Sequence, residues 1–247
     1  MRLLFFPMSI LRVLCALRGE RSRRMHGRES MSDPYEKWAR FYNPLVEPLL
    51  RPLKKEIVEE CARAGMKRVL DIGSGTGTLC KMLRREGIAA IGLDPSPSMI
   101  GISKQSPLPS FVPIRGRGEF LPFSSRSVAG IVISFVLHEN DPSIRARILE
   151  EALRVLAPGG SLFILDYDDP GNLPGRAASA FAYAVERAVG GAHFRNYRLF
   201  MQTGALTGLL TDMAPARLYR RHFFFGSISL VKYSPKSDPA FYNSSKG

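Results

Sequence analysis

Two acids and a run of glycines are the residues of this 247-residue chain best suited to chemistry. Asp71-Ile72-Gly73-Ser74-Gly75-Thr76-Gly77-Thr78 follows a short apolar stretch, and Asp94 ends the next one. Glycines permit a tight turn with positive φ and let a ligand approach the backbone. A helix starting after such a turn presents free N–H groups. A carboxylate at the end of the following strand can accept hydrogen bonds from both hydroxyls of a ribose. Together these residues describe a site for a nucleoside-containing cofactor.

Two cofactors compete for that description. A dinucleotide site calls for G-x-G-x-x-G, whereas Gly73, Gly75 and Gly77 give G-x-G-x-G, and Thr78 stands where the third dinucleotide glycine belongs. Asp71, entering the loop, would repel a pyrophosphate. It suits a ligand carrying an ammonium and a sulfonium, as S-adenosylmethionine does.

Proton-transfer chemistry is harder to read. His138, Asp166 and His193 are the candidate bases. His138 follows an apolar strand and could equally be a loop-packing residue. Asp166 opens the acidic run Asp166-Tyr-Asp-Asp169, which also reads as a solvated turn before Pro170, and His193 lies in a segment that also reads as a surface loop. Tyr35, Trp38 and Tyr42 either line a pocket mouth or pack a helix. The histidines at 26, 138, 193 and 222 and the cysteines at 15, 61 and 80 show no metal-ligand spacing, so no metal is expected. Three widely spaced cysteines suit a reducing, cytoplasmic compartment better than a disulfide framework.

The elements that must position these residues alternate between the two periodicities. Strands are expected at 68–72, 89–94, 110–113, 128–136 and 161–166. Helices are expected at 52–64, 78–86, 96–104 and 142–157, the first opening at Pro52 and the last capped by Asp141 with Pro142 at its first position. Residues 175–213 read as helical with breaks near Gly190-Gly191 and Gly204, and 216–233 as two strands meeting near Phe225-Gly226. The pattern predicts an α/β fold: a doubly wound, mostly parallel, Rossmann-like sheet of seven strands with an antiparallel C-terminal pair.

With 45% hydrophobic and 23% charged residues, the chain can bury a substantial core. The net charge of +13 is in part a property of residues 1–30, which hold seven arginines against two glutamates. That stretch reads as an extension outside the fold, the folded domain spanning 31–247. It is also compatible with a targeting segment or with weak contact to an anionic lipid surface. The remaining basic residues are scattered, which suits solubility better than a nucleic-acid stripe.

At these motifs the chain resembles the class I S-adenosylmethionine-dependent methyltransferases, in the branch of small-molecule and quinone-precursor C-methyltransferases. Val69 to Gly77 is similar to the family's first motif and Gly92 to Met99 to its second. Glu119 to Phe123 resembles the loop beside the adenine, Ile133 to His138 the fourth strand, and Leu156 to Gly160 the turn before the fifth. Tyr35 to Tyr42 resembles an aromatic helix that covers the cofactor. The resemblance implies that Asp71 holds the methionine amino group and that Gly73, Ser74, Gly75, Thr76 and Gly77 shape the loop. It assigns the ribose to Asp94, the adenine to Pro95, Met99, Gly118, Glu119 and Phe120, and contacts to the methionine to Ser134. It makes 175–213 a substrate lid, which would bring His193 near the acceptor; His138, Asp166, Tyr35, Trp38 and Tyr42 are further candidates for that pocket, and Phe181, Tyr183, Phe194, Tyr197, Phe200 and Met201 suit a small, apolar acceptor. Arg117 departs from the family, which often has an acid there; an arginine cannot accept a hydrogen bond from the adenine amino group. A non-catalytic cofactor-binding protein, an RNA methyltransferase and a nicotinamide oxidoreductase stand as the competing readings.

Overall fold

The structure, a computed structural model, describes residues 47–105, 111–211, 213 and 216–235. The extension read over 1–30 and the aromatic residues Tyr35, Trp38 and Tyr42 lie outside the described residues.

In chain order the elements are α1 (Glu47–Arg63), β1 (Arg68–Ile72), α2 (Thr78–Arg85), β2 (Ala89–Asp94), α3 (Pro97–Lys104), β3 (Val112–Arg115) and β4 (Val128–Ser134). There follow α4 (Pro142–Val155), β5 (Leu156–Tyr167), α5 (Leu173–Val189), α6 (Gly191–Gln202), α7 (Ala205–Thr211), β6 (Ala216–Phe223) and β7 (Ile228–Pro235). The strands form one sheet in the order β3-β2-β1-β4-β5-β7-β6. The first five run parallel, while β7 pairs antiparallel with both β5 and β6. The chain winds outward from β1 in one direction and then restarts at β4, so a crevice opens at the carboxyl ends of β1 and β4.

Strand parity divides the core. Leu70 and Ile72 of β1 join Ile131, Ile133, Leu162 and Ile164 on the face covered by α4, α6 and α7. Val69, Val132, Phe163 and Leu165 face α1 and α2 with Leu53, Ile57, Leu79 and Leu83. Asp71 alternates with Leu70 and Ile72 and so points to the α1–α2 side, in register with Gly92 and Val132.

Several expected boundaries shift for physical reasons. Pro52 lies inside α1 rather than at its start, because Glu47 and Lys54, two turns apart, form a buried ion pair that extends the helix backwards. The Pro158-Gly159-Gly160 turn is absorbed into β5, since Leu156 already pairs with Val128 ahead of a register shift. β4 ends two residues early, at Ser134, because Phe135 takes a positive φ of 56° and leads into a short 3-10 turn over Leu137–Glu139. The helical breaks at Gly190-Gly191 and Gly204 and the C-terminal strand pair stand where the sequence places them.

The acidic run at the end of β5 is not a solvated turn throughout: of its three acids only Asp169 is exposed. Asp166 is 0% exposed and Asp168 1%. Asp168 accepts bonds from the Thr207 N–H at 3.0 Å and the Thr207 hydroxyl at 2.8 Å, both on α7, and from the Ser229 hydroxyl of β7 at 2.6 Å. One carboxylate thus joins three elements. Asp168→Ala removes the acceptor shared by Thr207, which is exposed, and by the buried Ser229 hydroxyl, which keeps His222 at 2.8 Å, and a loss of about 1–2 kcal/mol is expected. A lowered urea midpoint with an unchanged m-value checks it.

Candidate functional site

The crevice is built around Asp71. The glycine loop folds back over the end of β2: the N–H groups of Gly73 and Ser74 donate to the Leu93 carbonyl at 2.7 and 3.1 Å. Gly73 has φ +74°, and a Cβ on it would sit 2.2 Å from the Val136 side chain; Gly77, at φ +76°, would meet the Phe111 ring at 2.3 Å. Asp94 fixes the loop from the other side. One of its oxygens accepts from the Gly75 N–H at 2.8 Å, the other from the Ser96 N–H at 2.9 Å. The same carboxylate therefore ties the glycine loop to the entry of α3, whose own cap is the Ser96 hydroxyl accepting from Met99.

A small cavity of about 30 Å³, enough for a water-sized group, opens beside Asp71. Glu47, Lys54, Gly73, Ser74, Ser134 and Phe135 are among its walls. Asp71 Oδ1, Ser74 Oγ and Glu47 Oε2 are buried there without a hydrogen-bond partner among the described residues. Three acceptor oxygens on one cavity describe a place for a donor-rich, positively charged group. Burial pushes the Asp71 carboxyl up to about 7; Lys54 and the Cys80 thiol, 3.6 Å from its Oδ2, pull it down, while Asp94 and Glu47 push it further up. The Cys80 thiol is itself held well above its ordinary range by burial and by Asp71, so it is no nucleophile. Glu47 and Lys54 escape a reading of the sequence; their seven-residue spacing, interrupted by Pro52, is the one signal that could have flagged them.

The residues that the resemblance places beside the adenine sit on a braced loop. Glu151 accepts from the Leu121 N–H at 2.8 Å, while Arg154 donates to the carbonyls of Phe123 and Leu121 at 2.9 and 3.1 Å. Gly118 and Glu119 are buried, and Phe120 is 65% exposed. Met99 is buried and Pro95 exposed. Arg117, exposed, donates from Nε to Glu119 at 2.6 Å, so an ion pair occupies the position where the family often has an acid.

The three candidate bases converge. His138 Nδ1 lies 2.7 Å from Asp166, whose carboxylate also accepts from the backbone N–H groups of Leu137 and His138 at 3.0 and 3.3 Å. His138 Nε2 lies 3.7 Å from Glu186 of α5, which bonds His193 Nε2 and accepts from the Tyr167 hydroxyl at 2.7 Å. His193 is therefore on helix α6, inside a network, and not in a surface loop. Burial alone would lower the His138 pKa, but Asp166, with Glu186 and Glu139 behind it, outweighs burial and lifts it to about 9. His138 thus carries a proton at neutral pH and faces carboxylates on both nitrogens. Glu186 and Tyr167, which complete the network, give no motif signal in the sequence.

A doubly wound sheet with a glycine loop after β1, an acid after β2 and an acceptor-lined cavity between them defines a protein that binds a nucleoside bearing a cationic group. Comparison with known proteins makes this specific. A methyltransferase-domain family model matches residues 69–160. A demethylmenaquinone methyltransferase of Thermotoga maritima is 31% identical over 166 residues, which cover 64% of this chain and 71% of that one. An uncharacterised methyltransferase of Mycobacterium tuberculosis is 36% identical over 107 residues, 43% of this chain, and the match spans only 42% of that relative. The fold is shared with an O-methyltransferase family protein from Burkholderia thailandensis, at a TM-score of 0.64 and 16% identity over 93% of this chain and 72% of that one. A SAM-dependent methyltransferase from Aquifex aeolicus aligns at 0.51 and 20% identity over 79% and 97%. The chain belongs to the class I S-adenosylmethionine-dependent methyltransferases, and S-adenosylmethionine is its cofactor.

The raised Asp71 pKa sets a pH dependence. In the unfolded chain Asp71 loses its proton near 3.8, in the cofactor-free fold near 7. The folded state holds the extra proton, so this group's contribution is complete below the unfolded value and falls away as pH rises through 7. Asp71→Asn is expected to gain stability relative to the native chain as pH is raised from about 5 to about 8. Urea midpoints of both proteins at the two pH values check the direction.

Proposed function

We propose that this protein transfers the methyl group of S-adenosylmethionine to a small, apolar acceptor. The observation that carries this reading is the set of three unpartnered oxygens, on Asp71, Ser74 and Glu47, around one cavity beside the glycine loop. An ammonium offers three donors and a positive charge to such a set. In this reading Asp71 and Ser74 receive the methionine amino group, and Glu47, paired to Lys54, adds its second oxygen. Gly73, Gly75 and Thr76 form the wall around the methionine, Gly77 closes the loop into α2, and Ser134 faces the methionine from the end of β4. Asp94, already held in place by two backbone bonds, turns its remaining lone pairs to the ribose. Pro95, Met99, Gly118, Glu119 and Phe120 frame the adenine, and the Arg117–Glu119 pair stands at its edge.

Bound there, S-adenosylmethionine supplies a methyl group that its sulfonium has already made electrophilic. The chain's task is then to hold the acceptor atom in line, a placement worth about 7–11 kcal/mol in well-oriented reactions. His138, its ring held by Asp166, stands beside the acceptor. The helices over 173–211 form the lid, and Phe135, Tyr167 and Tyr197 give it an aromatic lining, with ring centroids 5.5 and 5.2 Å apart in that order. An apolar, ring-bearing acceptor suits these walls, and the demethylmenaquinone methyltransferase relative supports the same class. The free, buried thiols of Cys61 and Cys80 support a cytoplasmic setting.

Calorimetric titration of the full chain with S-adenosylmethionine, S-adenosylhomocysteine and NAD(H) tests the cofactor site. The adenosyl pair is expected to bind, and Asp94→Asn to weaken it by about 10–100-fold, the loss of charge-assisted bonds worth about 1.5–3 kcal/mol. Affinity is expected to rise from about pH 6 to about pH 7.5 as Asp71 ionises, and Asp71→Asn to abolish that rise. Label from methyl-tritiated cofactor is expected in the organic-soluble fraction of a cell extract. Label in RNA, or in nothing, overturns the acceptor class.

A further inference from the structure

The geometry points to a binding site for one borderline divalent cation, of the Zn²⁺ or Co²⁺ kind, formed by His138, Glu139 and His193. One donor atom from each of these residues lies within 4.8 Å of the other two. The three come from two separate parts of the chain. His138 and Glu139 form the 3-10 turn that leaves β4, and His193 sits in the first turn of α6. Neither residue spacing nor a sequence motif brings them together; the docking of α6 does, with Asn196 Nδ2 donating to the Glu139 carbonyl at 2.7 Å.

In the metal-free protein each imidazole faces a carboxylate on both nitrogens, His138 Nε2 lying 3.7 Å from Glu186, so the cation displaces the proton from one nitrogen of each ring while the closer carboxylate holds the other. His138 Nδ1 faces Asp166 at 2.7 Å, and His193 Nε2 bonds Glu186. Metal-ligating histidines repeatedly show this arrangement, in which the outer carboxylate fixes the ring and the opposite nitrogen takes the metal. The opposite nitrogens here are His138 Nε2 and His193 Nδ1, and His193 Nδ1 is 4.0 Å from the Glu139 carboxylate. Ligands on a tetrahedral ion with bonds of roughly 2.0–2.2 Å stand about 3.4 Å apart, so the three side chains need to close in by only about 1 Å.

The donor set selects the ion. Two imidazole nitrogens with one carboxylate suit zinc and its neighbours, whereas calcium and magnesium call for oxygen ligands throughout. Three protein ligands leave a fourth position for water. The site also has a way in. The His138 side chain is 3% exposed, but Glu139 is 30% and His193 18%, so the cation enters from the α6 side. Once bound, it ties α6 to the turn at the end of β4 and holds that helix over the crevice. The site stands on its own donors and does not depend on the identity of the methyl acceptor.

The test uses the full chain, stripped of metal with a chelator and titrated with Co²⁺. The expected result is visible absorption that saturates at one Co²⁺ per chain, is bleached by Zn²⁺, and accompanies a rise in the unfolding midpoint that chelator reverses. Glu139→Ala and His193→Ala should each abolish the absorption. Glu186→Gln removes the carboxylate behind His193 and should weaken Co²⁺ binding by about 10–100-fold. Glu139 is partly exposed and its loss is compatible with folding, so that variant decides the matter if His193→Ala does not fold. Two results overturn the site: no absorption and no midpoint shift in the native chain, or Co²⁺ binding that Glu139→Ala leaves unchanged.

Discussion

A carboxylate at the end of a central strand, shut away from water, is the constraint on which the rest of this structure depends. Asp71 lies between β2 and β4 with one oxygen on the Cys80 thiol and the other unpartnered. Burial disfavours its charged form. The structure relieves this only in part, through Lys54, which is itself shared with Glu47. The glycine loop, the Asp94 anchor and the backward extension of α1 all serve to wall in that carboxylate while leaving acceptor oxygens on a small cavity. A site under-supplied with donors in the free protein is one that a cationic ligand completes.

The second centre follows a different logic. Asp166, His138, Glu186 and His193 are drawn from β5, the turn after β4, α5 and α6, and their charges alternate. Each carboxylate there has an imidazole or a backbone N–H in contact, so the network is largely satisfied. It fixes the helices over 173–211 to the sheet at the carboxyl ends of the strands. Asp168 extends the same function to α7 and β7. Two acids on either side of Tyr167 therefore hold two different elements, Asp166 the turn after β4 and Asp168 the helix α7, and the Tyr167 ring packs edge-on against Phe135 and Tyr197.

What could be read along the chain was local. The strand at 68–72, its glycine loop and the acid at Asp94 announce themselves because a tight turn, a close backbone approach and a strand-end carboxylate each need particular residue types within a few positions. The cap at Asp141, accepting the N–H groups of Ser143 and Ile144, is of the same kind. Those requirements operate over one or two turns of chain, and sequence alone determined the doubly wound sheet and its glycine loop. The cavity partner Glu47, the joining of His138 to His193 through Glu186 and the burial of Asp166 and Asp168 depended on contacts between residues far apart in the chain. Whether a carboxylate is solvated or sealed, and which charge faces it, is set by the packing of whole elements. Only the tertiary structure decided those, because electrostatic energy depends on distance and burial, which residue order does not specify.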